Sequence, residues 1–525
     1  MLSKDELFLS GDQEAIWNKY CGFLDLSPQE FRGIQEHLLL ESLELTAGTP
    51  LARRFLSSTP RSVEEFRATA PLTGYAEYED VLSARDGRAL AVPPEVWAMT
   101  SGRSGNPKWV PYPERFIEKL ALMSVSALIL ACAGRRGEVK FRSGLKVLLN
   151  LPSPPYMTGI LHDLLVPIVG ARVIPPPDRT READFETKIQ EGFAIALRSG
   201  VDILSSMTSV LVRMGESFTE SSGSLKASGL WKRPRALLRL ASAWMRARRE
   251  GRSILPRDLW PLKGLICYGM DTQIYRERLK RFWGLDPFES YGSTETGVLA
   301  VNGWRKGNLT FLPYACYLEF LPVDRIRDPK DADPGETVTY DGVETGRDYE
   351  VVVTSFYGMP FLRYRLGDIV RFVATEDAEA GIRLPQAVFQ ARASDLIDVA
   401  GFVHLDEKTV WQAIAESGLP VTEWTMRKES TGDRPSVRLF LETRSPVEPE
   451  EARRAVTDRL AALNGDWRDM VRMLGVEPLS ATIVPPGSFE RYYQRRKREG
   501  AHLAHLKPPH MNPHDSVVAE LLGGA

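Results

Sequence analysis

Lys146-Val147-Leu148-Leu149-Asn150-Leu151 is a short apolar run. It is followed by a proline-rich turn, Pro152 to Gly159, then an apolar helical stretch from Ile160 to Val169 and a second run, Gly170-Ala171-Arg172-Val173-Ile174-Pro175. Strand, helix and strand at this spacing predict a parallel crossover unit, because parallel strands cannot be joined by a tight hairpin. The chain is therefore read as α/β. In such units the loop beyond a strand's carboxyl end tends to hold ligand, which makes Tyr156 and Met157, with Gly159, candidates for an apolar pocket. Core packing beneath the proline turn accounts for the same side chains equally well.

Upstream lies Met99-Thr100-Ser101-Gly102-Arg103-Ser104-Gly105-Asn106-Pro107-Lys108. Gly102 and Gly105 can adopt positive φ and let backbone approach a ligand, and successive N–H groups in such a turn form an anion-binding nest. Thr100, Ser101 and Ser104 add hydroxyl donors and Lys108 a point charge. The loop reads as a polyphosphate cradle, or as a polar turn ahead of the helix near Pro113. It departs from the Walker pattern, since no Ser or Thr follows the lysine.

Downstream, Leu262 to Met270 reads as a strand ending in the Gly269 turn. The next informative stretch is Phe288-Glu289-Ser290-Tyr291-Gly292-Ser293-Thr294-Glu295-Thr296-Gly297. Here Tyr291 offers a flat face for a purine, Gly292 a close approach, Thr294 a donor to phosphate, and Glu295 a hard ligand for Mg²⁺. Leu309 to Val323 reads as one strand containing Glu319, and Glu350 to Thr354 as another. In Phe361-Leu362-Arg363-Tyr364-Arg365-Leu366-Gly367-Asp368 a carboxylate follows a glycine at an expected strand end. It suits a ribose diol, or else a turn in which Asp368 pairs with Arg363 or Arg365.

A chain of 525 residues exceeds one core, so two or more domains are expected. Its 43% hydrophobic and 26% charged residues are those of a soluble globular protein, and a net charge of −2 argues against bulk nucleic-acid binding. Cys21, Cys132, Cys267 and Cys316 are widely spaced, without a zinc or disulfide pattern, and read as buried thiols in a reducing compartment. There is no apolar signal core near Lys4, Asp5 and Glu6, and the apolar run Leu120 to Ala133 is too short to span a bilayer. A cytoplasmic protein without membrane partners is expected. The first 70 residues read as helices, with Phe31, Ile34, Leu38 and Leu39 on one face. Trp231 to Arg252 is a basic helix, either a docking face for an acidic partner or a solvated one. A composition shift near Glu376 to Gly381 places a domain boundary so that residues 1–388 precede a small α+β domain, 389–525. His502, His505, His510 and His514 lack regular ligand spacing.

Phosphate loop, tyrosine-glycine-acid turn, Gly-Asp pair and small C-terminal domain occur here in an order that resembles the adenylate-forming enzymes. Leu312-Pro313-Tyr314-Ala315-Cys316-Tyr317-Leu318-Glu319-Phe320-Leu321-Pro322, Arg363-Tyr364-Arg365-Leu366-Gly367-Asp368, Gly487-Ser488-Phe489 and Leu506-Lys507-Pro508-Pro509 are similar to signatures of the plant acyl acid amido synthetases. That resemblance implies a large adenylate-forming domain with parallel and mixed sheets, helices and a β-barrel subdomain, plus a small mobile C-terminal domain. It assigns Ser101, Gly102, Ser104, Gly105 and Lys108 to the ATP phosphates, and Gly269 and Met270 to adenine stacked on Tyr291. Gly292, Ser293 and Thr294 fall to the nucleotide, Glu295 to magnesium, Asp368 and Arg392 to the ribose, and Lys507 to catalysis from the C-terminal domain. By analogy an acyl pocket falls at Tyr156, Met157, Ser206 and Met207.

The implied reaction is ATP-dependent activation of a small carboxylic acid as acyl-AMP, followed by transfer to the amine of an amino acid. A phenylacetate-type CoA ligase and loading of a carrier protein are the alternatives. Two positions depart from the pattern: Arg103 stands where threonine is usual, and Ser394 where many CoA ligases have an acidic or lysine hinge residue.

Overall fold

The computed structural model describes residues 6–100, 108–141, 144–149, 154–176, 185–220, 234–268, 272–323, 336–392, 397–399, 403–431, 434–465, 467–468, 471, 478–498 and 510–523. They form two compact units, one of residues 1–366 and 370–389, the other of 367–369 and 390–525. No helix among the described residues is long and apolar enough to cross a membrane.

The larger unit opens with helices. Ser27 caps the helix Pro28–Thr46, reciprocated by Glu30, with Pro28 in the first turn where its missing N–H costs nothing. Its buried stripe runs through Phe31, Gln35, Leu39, Ser42, Leu43 and Thr46, rotated from the expected face, so that Ile34 and Leu38 are only partly buried. The rotation has a polar cause. Gln35 Nε2 donates to the Cys316 carbonyl (2.5 Å) and its Oε1 accepts from Leu318 N (3.2 Å), docking the helix on strand backbone.

The strands in chain order are β1 (Val96–Met99), β2 (Trp109–Tyr112), β3 (Lys146–Leu149), β4 (Arg172–Ile174), β5 (Ile203–Met207), β6 (Gly264–Tyr268), β7 (Phe288–Ser293) and β8 (Gly297–Asn302). Next come β9 (Leu309–Phe311), β10 (Cys316–Pro322), β11 (Val338–Thr339), β12 (Asp348–Ser355), β13 (Tyr364–Ala374) and β14 (Gln386–Arg392). β1 and β2 form a hairpin, and the other twelve make one sheet in the order β11-β10-β12-β13-β14-β9-β8-β7-β6-β5-β3-β4. The predicted crossover is present: β3 and β4 are parallel, linked through the helix Met157–Val169. β5, β6 and β7 continue the parallel half, and β8 and β9 turn it antiparallel. The expected β-barrel subdomain is absent among the described residues. The antiparallel strands extend the sheet through β9 and β14, leaving β11 and β4 as its open ends. The single strand expected over 309–323 is two, β9 and β10, separated by the turn at Pro313-Tyr314-Ala315, where proline removes a ladder donor.

The helix Glu114–Cys132 is buried along most of its length. Lys306 lies near its end and donates to the Leu130 and Ala133 carbonyls, satisfying acceptors that the helix leaves open. Burial lowers the Lys306 ammonium pKa to about 8.

At the centre of this unit is a buried ion pair. Arg363 donates from Nε and Nη2 to the two Glu319 oxygens at 3.0 and 2.8 Å, and from Nη1 to the Arg67 and Ala70 carbonyls. Thr337 and Arg67 also donate to Glu319.

The smaller unit contains the hairpin β15 (Ile397–Val399) and β16 (Val403–Leu405). A separate sheet, β17 (Val421–Thr431), β18 (Arg434–Thr443) and β19 (Leu479–Ile483), packs with helices Glu407–Glu416 and Pro449–Leu463. β17 went unread in the sequence although Trp424 and Met426 alternate inward, because a bulge between Val421 and Glu423 breaks the period. His510 is the buried polar centre here. Its Nδ1 and Nε2 lie 2.7 and 2.8 Å from Glu407 Oε1 and Glu423 Oε1, and its ring stacks on Trp424 at 4.4 Å. Tyr493 flanks Glu423.

Glu319→Ala strands the Arg363 guanidinium in the interior, so the larger unit should lose about 3–5 kcal/mol, read from its urea-unfolding transition; an unchanged midpoint would contradict the buried pair. A second expectation concerns pH. Burial alone would lower the His510 pKa, but the two carboxylates outweigh it and raise it to about 9. That stabilisation is complete below an unfolded histidine's pKa of about 6.5 and is lost as pH rises through about 9. The melting temperature of the smaller unit should fall over that window, and His510→Gln should flatten the slope.

Candidate functional site

Because β3, β5, β6 and β7 are parallel, their carboxyl ends share one edge of the sheet. Met207 and Tyr268 end β5 and β6 in register, and Ser206, fully buried, pairs with Cys267 behind them. Ser205 Oγ donates to the Tyr268 hydroxyl at 3.1 Å. Beyond the strand ends, the buried Thr208 and Thr272 hydroxyls meet at 2.7 Å, tying together the starts of helices Thr208–Glu220 and Thr272–Trp283. Gly269 and Met270 lie outside the described residues.

Tyr156 bridges to Met99 of β1, whose N–H donates to the Pro155 carbonyl at 2.9 Å. Tyr156 and Met157 thus stand beside the β1–β2 hairpin, and burial raises the Tyr156 phenol pKa. The sequence suggested a turn leading directly to a helix, but β2 intervenes. Thr100 N donates to the Lys108 carbonyl (2.9 Å), and Lys108 N donates to Thr100 Oγ1 (3.2 Å). The Lys108 ammonium sits 4.9 Å over the Tyr75 ring. Ser101, Gly102, Ser104 and Gly105, between these hairpin ends, lie outside the described residues.

The turn from β7 to β8 carries the acid. A register shift falls between Tyr291 and Gly292, and a Cβ at Gly292 would lie 2.0 Å from the Gly297 carbonyl oxygen. Glycine is required there by its own hairpin, before any ligand is considered. Ser293 N donates to Thr296 Oγ1 (3.2 Å), and the Tyr112 hydroxyl donates to the Thr294 carbonyl (2.7 Å). Glu295 is 8% exposed, and its Oε1 accepts from the Tyr364 hydroxyl at 3.3 Å. Burial, and then the Glu295 charge, raise the Tyr112 and Tyr364 pKa values well above the ordinary phenol range, so both remain donors. The Tyr291 ring is only 7% exposed, packed against Phe311 and Phe389 at 6.2 and 5.6 Å.

Asp368 is buried within β13 rather than placed at a strand end, following Gly367 at φ +71°. The arginines considered as its partners bind elsewhere, Arg363 to Glu319 and Arg365 to Glu350. The Arg392 side chain, Ser394 and Lys507 lie outside the described residues. Sequence reasoning missed Tyr112 and Tyr364. The signal for Tyr364 was its place between two arginines, since successive strand residues face opposite ways. Among the described residues no group of three or more His, Cys, Asp or Glu is close enough to hold a metal. The four cysteines are buried. The basic helix, Pro234–Arg249, exposes Leu238, Trp244 and Met245 alongside Arg248 and Arg249.

Three family models match the chain in sequence order. They are the GH3 family N-terminal domain over residues 22–149, the GH3 family central domain over 309–384 and the GH3 family C-terminal domain over 407–515, together more than half of the chain. The chain belongs to the GH3 family. Among curated relatives, a probable indole-3-acetic acid-amido synthetase GH3.9 of Oryza sativa subsp. japonica is 30% identical over 226 residues, 41% of this chain and 49% of that protein. The jasmonoyl–L-amino acid synthetase GH3.5 of the same organism is 25% identical over 302 residues, 50% of this chain and 48% of that one. The chain thus spans about half the length, or less, of the curated relatives it matches. Among solved structures, the GH3.15 acyl acid amido synthetase in complex with 2,4-DB superposes with a TM-score of 0.68 at 20% identity, covering 100% of this chain and 98% of that one. A 2-hydroxyisobutyryl-CoA ligase in its postadenylation state superposes at 0.62 and 14% identity, covering 95% and 94%. At these identities the superpositions establish a shared fold.

Gly292→Ala places a methyl group on backbone that cannot withdraw independently of the hairpin. The variant should melt well below the wild type; a wild-type melting temperature would show that the hairpin relaxes without cost.

Proposed function

We propose that this GH3 protein is an ATP-dependent acyl acid amido synthetase. One observation carries the reading: the Tyr112 hydroxyl joins the hairpin that flanks the glycine- and hydroxyl-rich loop to the turn bearing Thr294 and Glu295. The hairpin strands and the turn with its buried carboxylate, which suits a hard cation, are thereby tied to the carboxyl end of β7, and α/β folds bind nucleotides beside such strand ends.

In this reading Lys108, with Ser101, Gly102, Ser104 and Gly105, receives the ATP phosphates, and Thr294 the α-phosphate. Gly269, Met270 and Tyr291 take the adenine, while Asp368 and Arg392 take the ribose. Glu295 fits Mg²⁺ as a single hard-oxygen donor, because that ion commonly completes its shell with substrate phosphates and water. When bound, the cation would neutralise phosphate charge.

The substrate carboxylate attacks the α-phosphorus and pyrophosphate leaves. The amine of an amino acid then attacks the acyl carbon, and AMP leaves. The first step needs alignment and charge neutralisation more than covalent help, and Lys507 is assigned to it. The named relatives are a probable indole-3-acetic acid-amido synthetase and a jasmonoyl–L-amino acid synthetase, which favours a compact aromatic or cyclic acid held by Tyr156, Met157, Ser206 and Met207. A cytoplasmic location, and a division at residue 389 with a mobile smaller domain, belong to the same proposal.

The test is carboxylate-dependent exchange of labelled pyrophosphate into ATP. Some acid should support exchange in the wild type, and Glu295→Ala and Lys507→Ala should each lower it by about 10²–10³-fold. Amino acids, CoA and a carrier protein are then offered as acceptors. Amide product supports the proposal, thioester replaces it with a ligase to thiols, and folded protein that exchanges with no acid refutes adenylation.

A further inference from the structure

The Tyr364 hydroxyl, which reaches the Glu295 carboxylate, is carried on backbone that the fold holds from both sides. On one side Arg363 takes a left-handed φ of +42° and is locked to Glu319. Its N–H donates to Thr354 Oγ1 (2.9 Å), and its carbonyl accepts from Thr73 N (3.0 Å). On the other side Arg365 N donates to the Thr73 carbonyl at 2.9 Å. The backbone that presents Tyr364 is therefore fixed before and after it. The ring is packed by Phe361 at 4.7 Å and Tyr78 at 6.1 Å. Its hydroxyl donates to Glu295 Oε1 at 3.3 Å.

We infer that Tyr364 is a positioning residue, which holds Glu295 by one carboxylate oxygen so that the other is presented to a divalent cation bound with the nucleotide. The inference rests on the adenylation reading and goes beyond it by assigning the orientation of the acid to a named hydroxyl. A carboxylate free to rotate can offer either oxygen, or both, to a cation. A donor on Oε1 leaves Oε2, which has no hydrogen bond among the described residues, as the available ligand. The Tyr112 hydroxyl fixes the preceding carbonyl, that of Thr294, so the turn is held at its backbone and at its side chain by two different strands. Partners that orient a metal ligand from behind commonly affect metal affinity by about 10–100-fold.

Tyr364→Phe removes the hydroxyl and keeps the ring. Binding of Mn²⁺ to the full chain with a non-hydrolysable ATP analogue, read by electron paramagnetic resonance, requires no turnover. The variant should bind Mn²⁺ about tenfold more weakly while melting close to the wild type. The Mg²⁺ concentration for half-maximal pyrophosphate exchange should rise by a similar factor, with a much smaller change in rate at saturating Mg²⁺. On a Glu295→Ala background, Tyr364→Phe should add nothing further to Mn²⁺ affinity. Wild-type Mn²⁺ affinity in Tyr364→Phe would overturn the inference, as would a full additional loss in the double variant. Those results would leave adenylation standing if the wild type exchanges pyrophosphate, whereas a wild type that binds nucleotide and Mn²⁺ but exchanges with no acid would remove the adenylation reading itself.

Discussion

The buried pair of Arg363 and Glu319 is the constraint on which the larger unit's architecture turns. Both side chains are essentially inaccessible, at 0% and 1% exposure. Isolated charges at such a depth cost far more than a fold of this size can sustain, so each must find its counter-charge and further donors or acceptors. They do so with the Arg67 and Ala70 carbonyls and the Thr337 hydroxyl, which ties the helix Val63–Thr69 to β10, to the edge near β11 and to the start of β13. A pair of this kind adds little net stability compared with apolar packing. What it adds is register, because a slip of one residue would carry the Arg363 guanidinium away from Glu319 and leave both charges buried and unpaired.

The candidate site inherits that register. Tyr364 follows Arg363 directly and points the other way, to Glu295. Tyr112, from the short β1–β2 hairpin, reaches the neighbouring carbonyl. Neither tyrosine need touch a substrate to matter, since they place an acid whose turn is itself shaped by a glycine bulge and by Thr296. The electrostatics agree with this arrangement. Both phenols stay protonated beside the carboxylate, so Tyr364 donates to the buried acid itself and Tyr112 to the backbone carbonyl before it.

The smaller unit solves a similar problem by other means. His510 is buried between Glu407 and Glu423 and stacked on Trp424, with Trp411 edge-on at 4.9 Å. Its carbonyl accepts from Met426 N at 2.6 Å, and Asn512 N returns a bond to the Met426 carbonyl, so Met511 forms a single parallel bridge to β17. Here too a buried charge fixes where the chain lies, in this case its last segment.

The sequence by itself determined the α/β class, the parallel crossover from β3 to β4, the apolar helix Glu114–Cys132 and the order of the three motifs. These follow from local periodicity, from the length a crossover needs, and from glycine, hydroxyl and acid types whose chemistry is legible residue by residue. The tertiary structure alone decided the partners. Arg363 and Arg365 chose Glu319 and Glu350 over the nearby Asp368, because pairing across strands is set by register rather than by distance along the chain. Gly292 proved necessary to its own hairpin, Gln35 turned a helix face that apolar spacing had placed differently, and the antiparallel strands opened into a sheet instead of closing a barrel. Each of these depends on which backbone lies opposite, and that contact joins residues up to hundreds of positions apart, beyond the reach of any local pattern.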